Sequence, residues 1–365
     1  MGFQDFYGNE APLRRLREML ARNRFPHAVI ISGPRGAGKY RLAQMLAKTM
    51  NCLSPKDSDG LPDFCGHCAN CLRIAEADNL AECCAAAVEA RESLREADKK
   101  DTRILVQTHP DVLIIPPDPP QMMIKVDQVR KVIQGIYYRP SQGRQRVYIF
   151  TDSSFMKEAA NALLKVLEEP PEFAVLFLLT ENPGELLPTI RSRCVTIALQ
   201  PLPVSDIENL LSKRRADWNS RQRALVARLS GGAAGRALSF ELATYITARA
   251  DALALLQTAI DGERHTKLFQ TTEGYRAGAE GKAKTEQLVG TIYGLLEDIV
   301  FLKSGTPELA RNTDILPELK ALAQKVSFEW VAAAADGLGK VERGMRRNLL
   351  RSLSLDAFAV SLEPS

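Results

Sequence analysis

Three segments follow one another without a break: the apolar run Ala28-Val-Ile-Ile-Ser32, the loop Gly33-Pro-Arg-Gly-Ala-Gly-Lys39-Tyr40, and the stretch Arg41–Met50. The first is apolar at consecutive positions, as a strand buried on both faces must be. The third repeats its apolar residues at helical spacing. Strand, glycine loop and helix in that order restrict the chain to a layered α/β fold, in which the loop joins a buried parallel strand to a helix N-terminus. Gly33, Gly36 and Gly38 let backbone N–H groups curl around phosphates, and Lys39 adds a positive charge. The pattern is G-x4-G-K, but Tyr40 stands where Ser or Thr would ligate magnesium. A phenol is too long and bulky to place its oxygen where that small hydroxyl sits. The loop is therefore expected to bind ATP or ADP, if anything, and to be poorly equipped for hydrolysis. A loop kept only for its fold is the alternative.

Further short apolar runs recur at α/β spacing: Val112–Ile115, Val147–Phe150, Val175–Thr180 and Val195–Leu199. Between them lies a helical stripe of Met156, Ala160, Leu163, Leu164 and Leu167, ended by Pro170 and Pro171. Five parallel strands with intervening helices are expected. A hydrolysing phosphate-loop enzyme places an Asp for magnesium, and usually a Glu for water, at the end of a buried strand. Here that tip reads Thr151-Asp152-Ser153. Asp152 is the one candidate acid, and a helix N-cap is its simpler role.

Cys52, Cys65, Cys68 and Cys71 have the spacing C-x12-C-x2-C-x2-C. Paired cysteines two residues apart can turn both thiolates onto one ion, with Gly66 easing the turn and the upstream Cys52 closing a tetrahedral set. This points to structural zinc. An iron–sulfur cluster of the bacterial ferredoxin type would put its fourth Cys downstream, and four unliganded thiols remain the plain alternative. His67 is read as a spacer, and Cys83, Cys84 and Cys194 as ordinary thiols.

The chain has 365 residues, enough for two or three domains. Its net charge of +4 neither demands nor excludes a nucleic-acid partner. No apolar run approaches membrane-spanning length, and the start of the chain lacks the basic-then-apolar pattern of a signal peptide. A cytoplasmic protein without a membrane partner is expected.

Asn161–Pro171 (NALLKVLEEPP), Thr189–Cys194 (TIRSRC), His109–Ile115 (HPDVLII) and the four cysteines beside the phosphate loop together resemble the bacterial clamp-loader subunits of DNA polymerase III. The motifs span about the first 240 residues, and the likeness continues more faintly beyond. The degenerate loop and missing acidic pair resemble the delta-prime branch more than the ATP-hydrolysing gamma/tau branch. The resemblance implies an AAA+ core over 1–200, with a zinc module at about 52–71. A segment at about 72–105 departs from the family pattern; it is Ala-rich and charged, so it reads as a helical insert, most simply an ordinary solvated helix. The resemblance also implies a helical lid over 201–242 and an all-α collar over 243–365. Carried over, Arg193 of the Ser-Arg-Cys motif would be an arginine finger acting on a neighbour's ATP; a surface salt bridge is its plain alternative. Gly235 falls where relatives that hydrolyse ATP carry a nucleotide-sensing arginine, with Arg236 one step along. The implied partners are gamma/tau and delta subunits in a hetero-oligomeric ring, with the sliding clamp and primed DNA reached through the assembly. The isolated chain is expected to be a non-catalytic subunit of the polymerase III holoenzyme. Two alternatives stay open: an active ATPase of the gamma/tau type, and a zinc-dependent DNA binder with a relic phosphate loop.

The C-terminal third reads as helical. Leu288, Ile292, Leu295, Ile299 and Leu302 form one apolar stripe, and Met345, Leu349, Leu350 and Leu353 a second. Asp261–Gln287 is polar with scattered glycine and reads as a loop or loosely held helix. Arg346, Arg347 and Arg351 make a small basic cluster, read as a solvated face. None of the four histidines (His27, His67, His109 and His265) has an evident nucleophile partner.

Overall fold

The computed structural model describes residues 2–262, 269, 271–275, 278–346 and 349–362. The contacts divide it into two compact units. One comprises Met1–Leu210 with Gly232–Arg236; the other comprises Leu211–Gly231 with Ala237–Ser365. The segment expected to be a lid is thus shared between the two.

Among the described residues, the first unit holds eight strands: β1 (Ala28–Ser32), β2 (Lys56–Ser58), β3 (Leu61–Asp63), β4 (Val106–His109), β5 (Val112–Ile115), β6 (Arg146–Phe150), β7 (Ala174–Thr180) and β8 (Val195–Ala198). Six of them form a sheet in the order β4-β5-β6-β7-β1-β8. All neighbours run parallel except β4, which is antiparallel to β5. Consecutive burial of β1 and β7 follows from helices on both faces. Val29 and Ile31 pack on one side with Leu42 and Leu46, whereas Ala28 and Ile30 pack on the other with Val129, Val132, Leu163 and Val166. The helices of this unit are α1 (Glu10–Ala21), α2 (Lys39–Asn51), α3 (Ala69–Ala75), α4 (Leu80–Glu92), α5 (Glu96–Asp101), α6 (Val126–Ile136) and α7 (Lys157–Glu168), followed by shorter turns.

Two features correct the expected five-stranded parallel sheet. The edge strand β4 reads Val-Gln-Thr-His, with both ends buried and its middle more exposed, so it lacks the apolar run of an inner strand. The second is the β2–β3 hairpin, which turns at Asp59-Gly60 with both residues at positive φ (57° and 72°). That dipeptide is a hairpin signal in its own right.

The insert is helical, as α3 to α5, and docked firmly. Arg91 of α4 pairs with Asp118 at 3.1 Å, and Lys125 pairs with the same carboxylate at 2.9 Å. Asp118 is fully buried and also accepts the Ile104 N–H. Lys48 of α2, itself buried, holds Asp78 at 2.6 Å. Arg91 thus anchors α4, whereas most of α4 and α5 stays open to solvent, as a solvated helix should.

The second unit is helical. Its core gathers Leu255 and Leu256 of helix Leu242–Asp261, with Leu288, Ile292, Leu295 and Ile299 of helix Gly278–Lys303 fully buried as the first stripe requires. That second helix takes in the C-terminal part of the segment read as a loop or loosely held helix. The second stripe is corrected. Only Met345 belongs to helix Phe328–Arg346 and packs on the core; Leu350 is the N-cap of helix Arg351–Val360, and Leu349, Leu350 and Leu353 are 58%, 54% and 60% exposed. His265, Arg347 and the side chain of Arg346 lie outside the described residues. Among the described residues, no helix is long and apolar enough to cross a membrane.

Removing one partner of a buried ion pair leaves the other charge uncompensated. Asp118→Ala should therefore destabilise the first unit by about 3–5 kcal/mol. It should also expose α4 to proteolysis before the rest. Urea unfolding combined with limited proteolysis reads both effects.

Candidate nucleotide site and cysteine cluster

Because β1 lies between β7 and β8, the loop that follows it meets the carboxyl ends of its neighbours. Gly33, Gly36 and Gly38 all take positive φ (150°, 83° and 90°), a backbone that any side chain would strain. Gly38 is the N-cap of α2, and Lys39 is its first residue. The Lys39 ammonium folds back onto its own loop, donating to the carbonyls of Gly33 at 2.6 Å and Pro34 at 3.0 Å. Burial lowers its pKa, while the charges of Glu181 and Asp152 oppose that fall. Glu181, just past the end of β7, was not anticipated from sequence. Its relevance follows only from the strand order, which sets β7 beside β1.

Tyr40 does not point its phenol toward the phosphate cradle. Its hydroxyl donates to the carbonyl of Ala77 at 2.6 Å and accepts from Gln44 Nε2 at 2.7 Å. Burial raises its pKa well above the ordinary phenol range, so it remains a neutral donor. Ala77 lies between α3 and α4, so this bond ties the first turn of α2 to the insert.

Gly235 packs onto the loop itself. Its N–H donates to the Gly36 carbonyl at 2.8 Å. A Cβ built at Gly235 would lie 2.8 Å from that oxygen, and one built at Gly36 would lie 2.7 Å from the Arg236 nitrogen. Backbone occupies the position where an arginine side chain would have to start.

Asp152 does not cap a helix, contrary to the simpler expectation. Its Oδ1 accepts the Ser154 N–H at 2.7 Å, and the N-cap of α7 is Met156. The adjacent Ser153 is buried, donates to Glu185 at 2.7 Å and accepts from Thr180 at 3.0 Å. Arg193 follows a short helix, Pro188–Arg191. Its guanidinium bonds the Glu168 carboxylate at 2.8 Å and the Thr189 carbonyl at 2.9 Å. Both members of the ion pair are well exposed, 35% and 52%.

The four cysteines converge. Sγ atoms of Cys52, Cys65, Cys68 and Cys71 all lie within 4.8 Å of one another, and those of Cys52 and Cys68 are 3.9 Å apart. Backbone N–H groups donate to sulfur: Leu53 to Cys68 at 3.4 Å, Cys65 to Cys52 at 3.3 Å and Cys68 to Cys65 at 3.3 Å. Burial works against ionisation of Cys68, but N–H donation from Cys71 and Leu53 and its thiol neighbours bring its pKa down to about 6. Such a set could hold a metal ion. His67 is not in it; its ring nitrogen Nδ1 meets the Cys65 carbonyl. Cys83 and Cys84 pack beside Tyr40 against the core.

Fold and site together define an α/β protein with a G-x4-G-K loop, which carries Tyr40 where that motif has a small hydroxyl, and with a four-cysteine cluster on its flank. Residues 8–92 and 77–203 match the family described as DNA polymerase III, delta subunit. The chain belongs to that family of clamp-loader AAA+ proteins. Its relatives include subunit tau of Escherichia coli K12, 28% identical over 346 residues (93% of this chain, 43% of the relative). Subunit delta' of Bacillus subtilis is 26% identical over 311 residues (84% of this chain, 82% of the relative). Subunit delta' of Pseudomonas aeruginosa is 33% identical over 178 residues (48% and 44%). The chain thus spans less than half the length of the tau relative. A gamma subunit-related protein of Thermotoga maritima aligns over 97% of this chain and all of its own, at 18% identity and a TM-score of 0.43.

Removing the Tyr40 hydroxyl leaves the Ala77 carbonyl and the buried Gln44 amide each without that partner. Tyr40→Phe should cost about 1–3 kcal/mol, seen as a lowered urea midpoint with an unchanged slope.

Proposed function

We propose that this chain is a delta-prime-type subunit of a DNA polymerase III clamp loader. It would help load the sliding clamp on primed DNA within a ring of gamma/tau-type and delta-type subunits in the cytoplasm. The observation that carries this reading is the phenol of Tyr40, turned away to the Ala77 carbonyl where a hydrolysing loop needs a magnesium ligand. The Gly235–Gly36 contact supports it from the other side of the loop, because it leaves no room for a sensing arginine. On this reading Gly33, Gly36, Gly38 and Lys39 can hold ATP or ADP without turning it over, and Asp152 is at most a distant acid. The modules are a core over 1–200, a lid over 201–242 and an oligomerising collar over 243–365.

Arg193 would serve the neighbouring subunit as an arginine finger. Its exposed pair with Glu168 contributes only about 0–1 kcal/mol, so the guanidinium is free to exchange partners on assembly. Mixed with gamma/tau-type and delta-type subunits, the chain should support ATPase activity that falls on the order of 10³-fold in Arg193→Ala. Unchanged activity removes the finger. Turnover by the isolated chain, abolished by Lys39→Ala, would instead make it a gamma/tau-type ATPase, the reading favoured by the match to tau over 93% of the chain.

The cysteine cluster is assigned to structural zinc. Tetrahedral zinc with Zn–S bonds near 2.3 Å sets its sulfurs about 3.8 Å apart, close to the observed 3.9 Å between Cys52 and Cys68. With four protein ligands no position is left open, so the ion would hold the β2–β3 hairpin to α3 rather than catalyse. Elemental analysis should give about one zinc per chain and a clear loss in Cys68→Ser. Less than about half an equivalent in non-chelated protein overturns the assignment.

A further inference from the structure

At the amino ends of β5 and β6, away from the phosphate loop, lies a cavity of about 280 Å³ between α6 and the β4 edge of the sheet. Leu105 and Leu113 form its apolar wall; Lys131, Arg146, Tyr148 and Asp111 supply the polar groups. Tyr148 is 3% exposed, yet its hydroxyl has no hydrogen-bond partner, and neither does the buried Nε of Arg146. Burial raises the pKa of that phenol, although the neighbouring Arg146 works the other way, so it stays neutral. Buried polar groups in a folded protein are nearly always satisfied, so two orphans lining one cavity mark a missing partner.

The sign of that partner follows from the lining. An arginine Nε–H only donates, a lysine ammonium only donates, and a neutral phenol has its proton to give. The one carboxylate, Asp111, is already engaged. It accepts the N–H groups of Ser141, Gln142 and Gly143 at 2.7–2.8 Å, and these bonds hold its pKa below the usual carboxylate range even though burial pushes the other way. Its distance to the Arg146 guanidinium is 3.9 Å, so it neutralises that cation only in part. Donors are in excess and a positive charge remains.

We propose that this cavity binds a small oxyanion, the phosphate or carboxylate group of a small molecule, with Arg146 and Tyr148 as direct donors and Lys131 at the rim. The site is separate from the nucleotide loop, which marks the opposite end of the sheet, and it does not depend on the chain being a delta-prime-type subunit.

Inorganic phosphate is the probe, titrated at constant ionic strength against the full chain and read as a rise in Tm. Lys39→Ala controls for phosphate on the glycine loop. The stabilisation should persist in Lys39→Ala and weaken by roughly tenfold or more in Tyr148→Phe and in Arg146→Gln. If Arg146→Gln does not fold, Tyr148→Phe and Lys131→Gln carry the test. Stabilisation lost in Lys39→Ala but kept in Tyr148→Phe overturns the proposal, as does no stabilisation of the unaltered chain. Displacement of phosphate from the Lys39→Ala protein by a short single-stranded oligonucleotide would overturn the small-molecule assignment in favour of a backbone phosphodiester.

Discussion

The parallel ladder of β6, β7, β1 and β8 is the constraint on which the rest of the first unit depends. Parallel pairing sends every carboxyl end to one edge, so loops far apart in sequence must meet there. Gly33 to Lys39 after β1, Asp152 after β6 and Glu181 after β7 are neighbours for that reason alone. The same ladder sends the amino ends to the opposite edge, where Asp111 and Arg146 stand beside Tyr148. One sheet thus carries two polar regions of different character: a glycine cradle at one end and a donor-lined cavity at the other.

Within that frame, Tyr40 and the insert are a matched pair. A tyrosine at the first turn of α2 would be an awkward exposed ring without something to cover it. The insert supplies the cover through Leu80, Cys83 and Cys84, and supplies the acceptor through the Ala77 carbonyl. Lys48–Asp78 and Arg91–Asp118 hold the two ends of α4. A position that reads in sequence as a defect in a phosphate loop is, in the structure, a strut.

How much was legible in the sequence follows the physics of each element. Buried parallel strands announce themselves as consecutive apolar residues, so β1, β5, β6 and β7 could be placed to within a residue or so. The glycine loop and the four cysteines are dense local patterns, and they too were readable. Strand β4 was not, because an antiparallel edge strand with a half-exposed middle has no apolar run. The β2–β3 hairpin was readable in principle from Asp59-Gly60 but has only three residues on each side. Glu181 and Glu168 gained meaning only from tertiary neighbours, and no spacing rule links them to Lys39 or Arg193. The apolar stripe from Met345 to Leu353 failed for a different cause: helical periodicity in sequence cannot tell one continuous helix from two that break at its centre.

The contact between Gly235 and Gly36 bears on how far this loop can be altered. Exchanging Tyr40 for serine would place a small hydroxyl at the loop but release the strut that holds the insert. Any side chain at position 235 would meet the Gly36 carbonyl at 2.8 Å, so the loop backbone would have to move first. The two positions therefore resist single exchanges for different reasons, one through a lost hydrogen bond and the other through a steric clash.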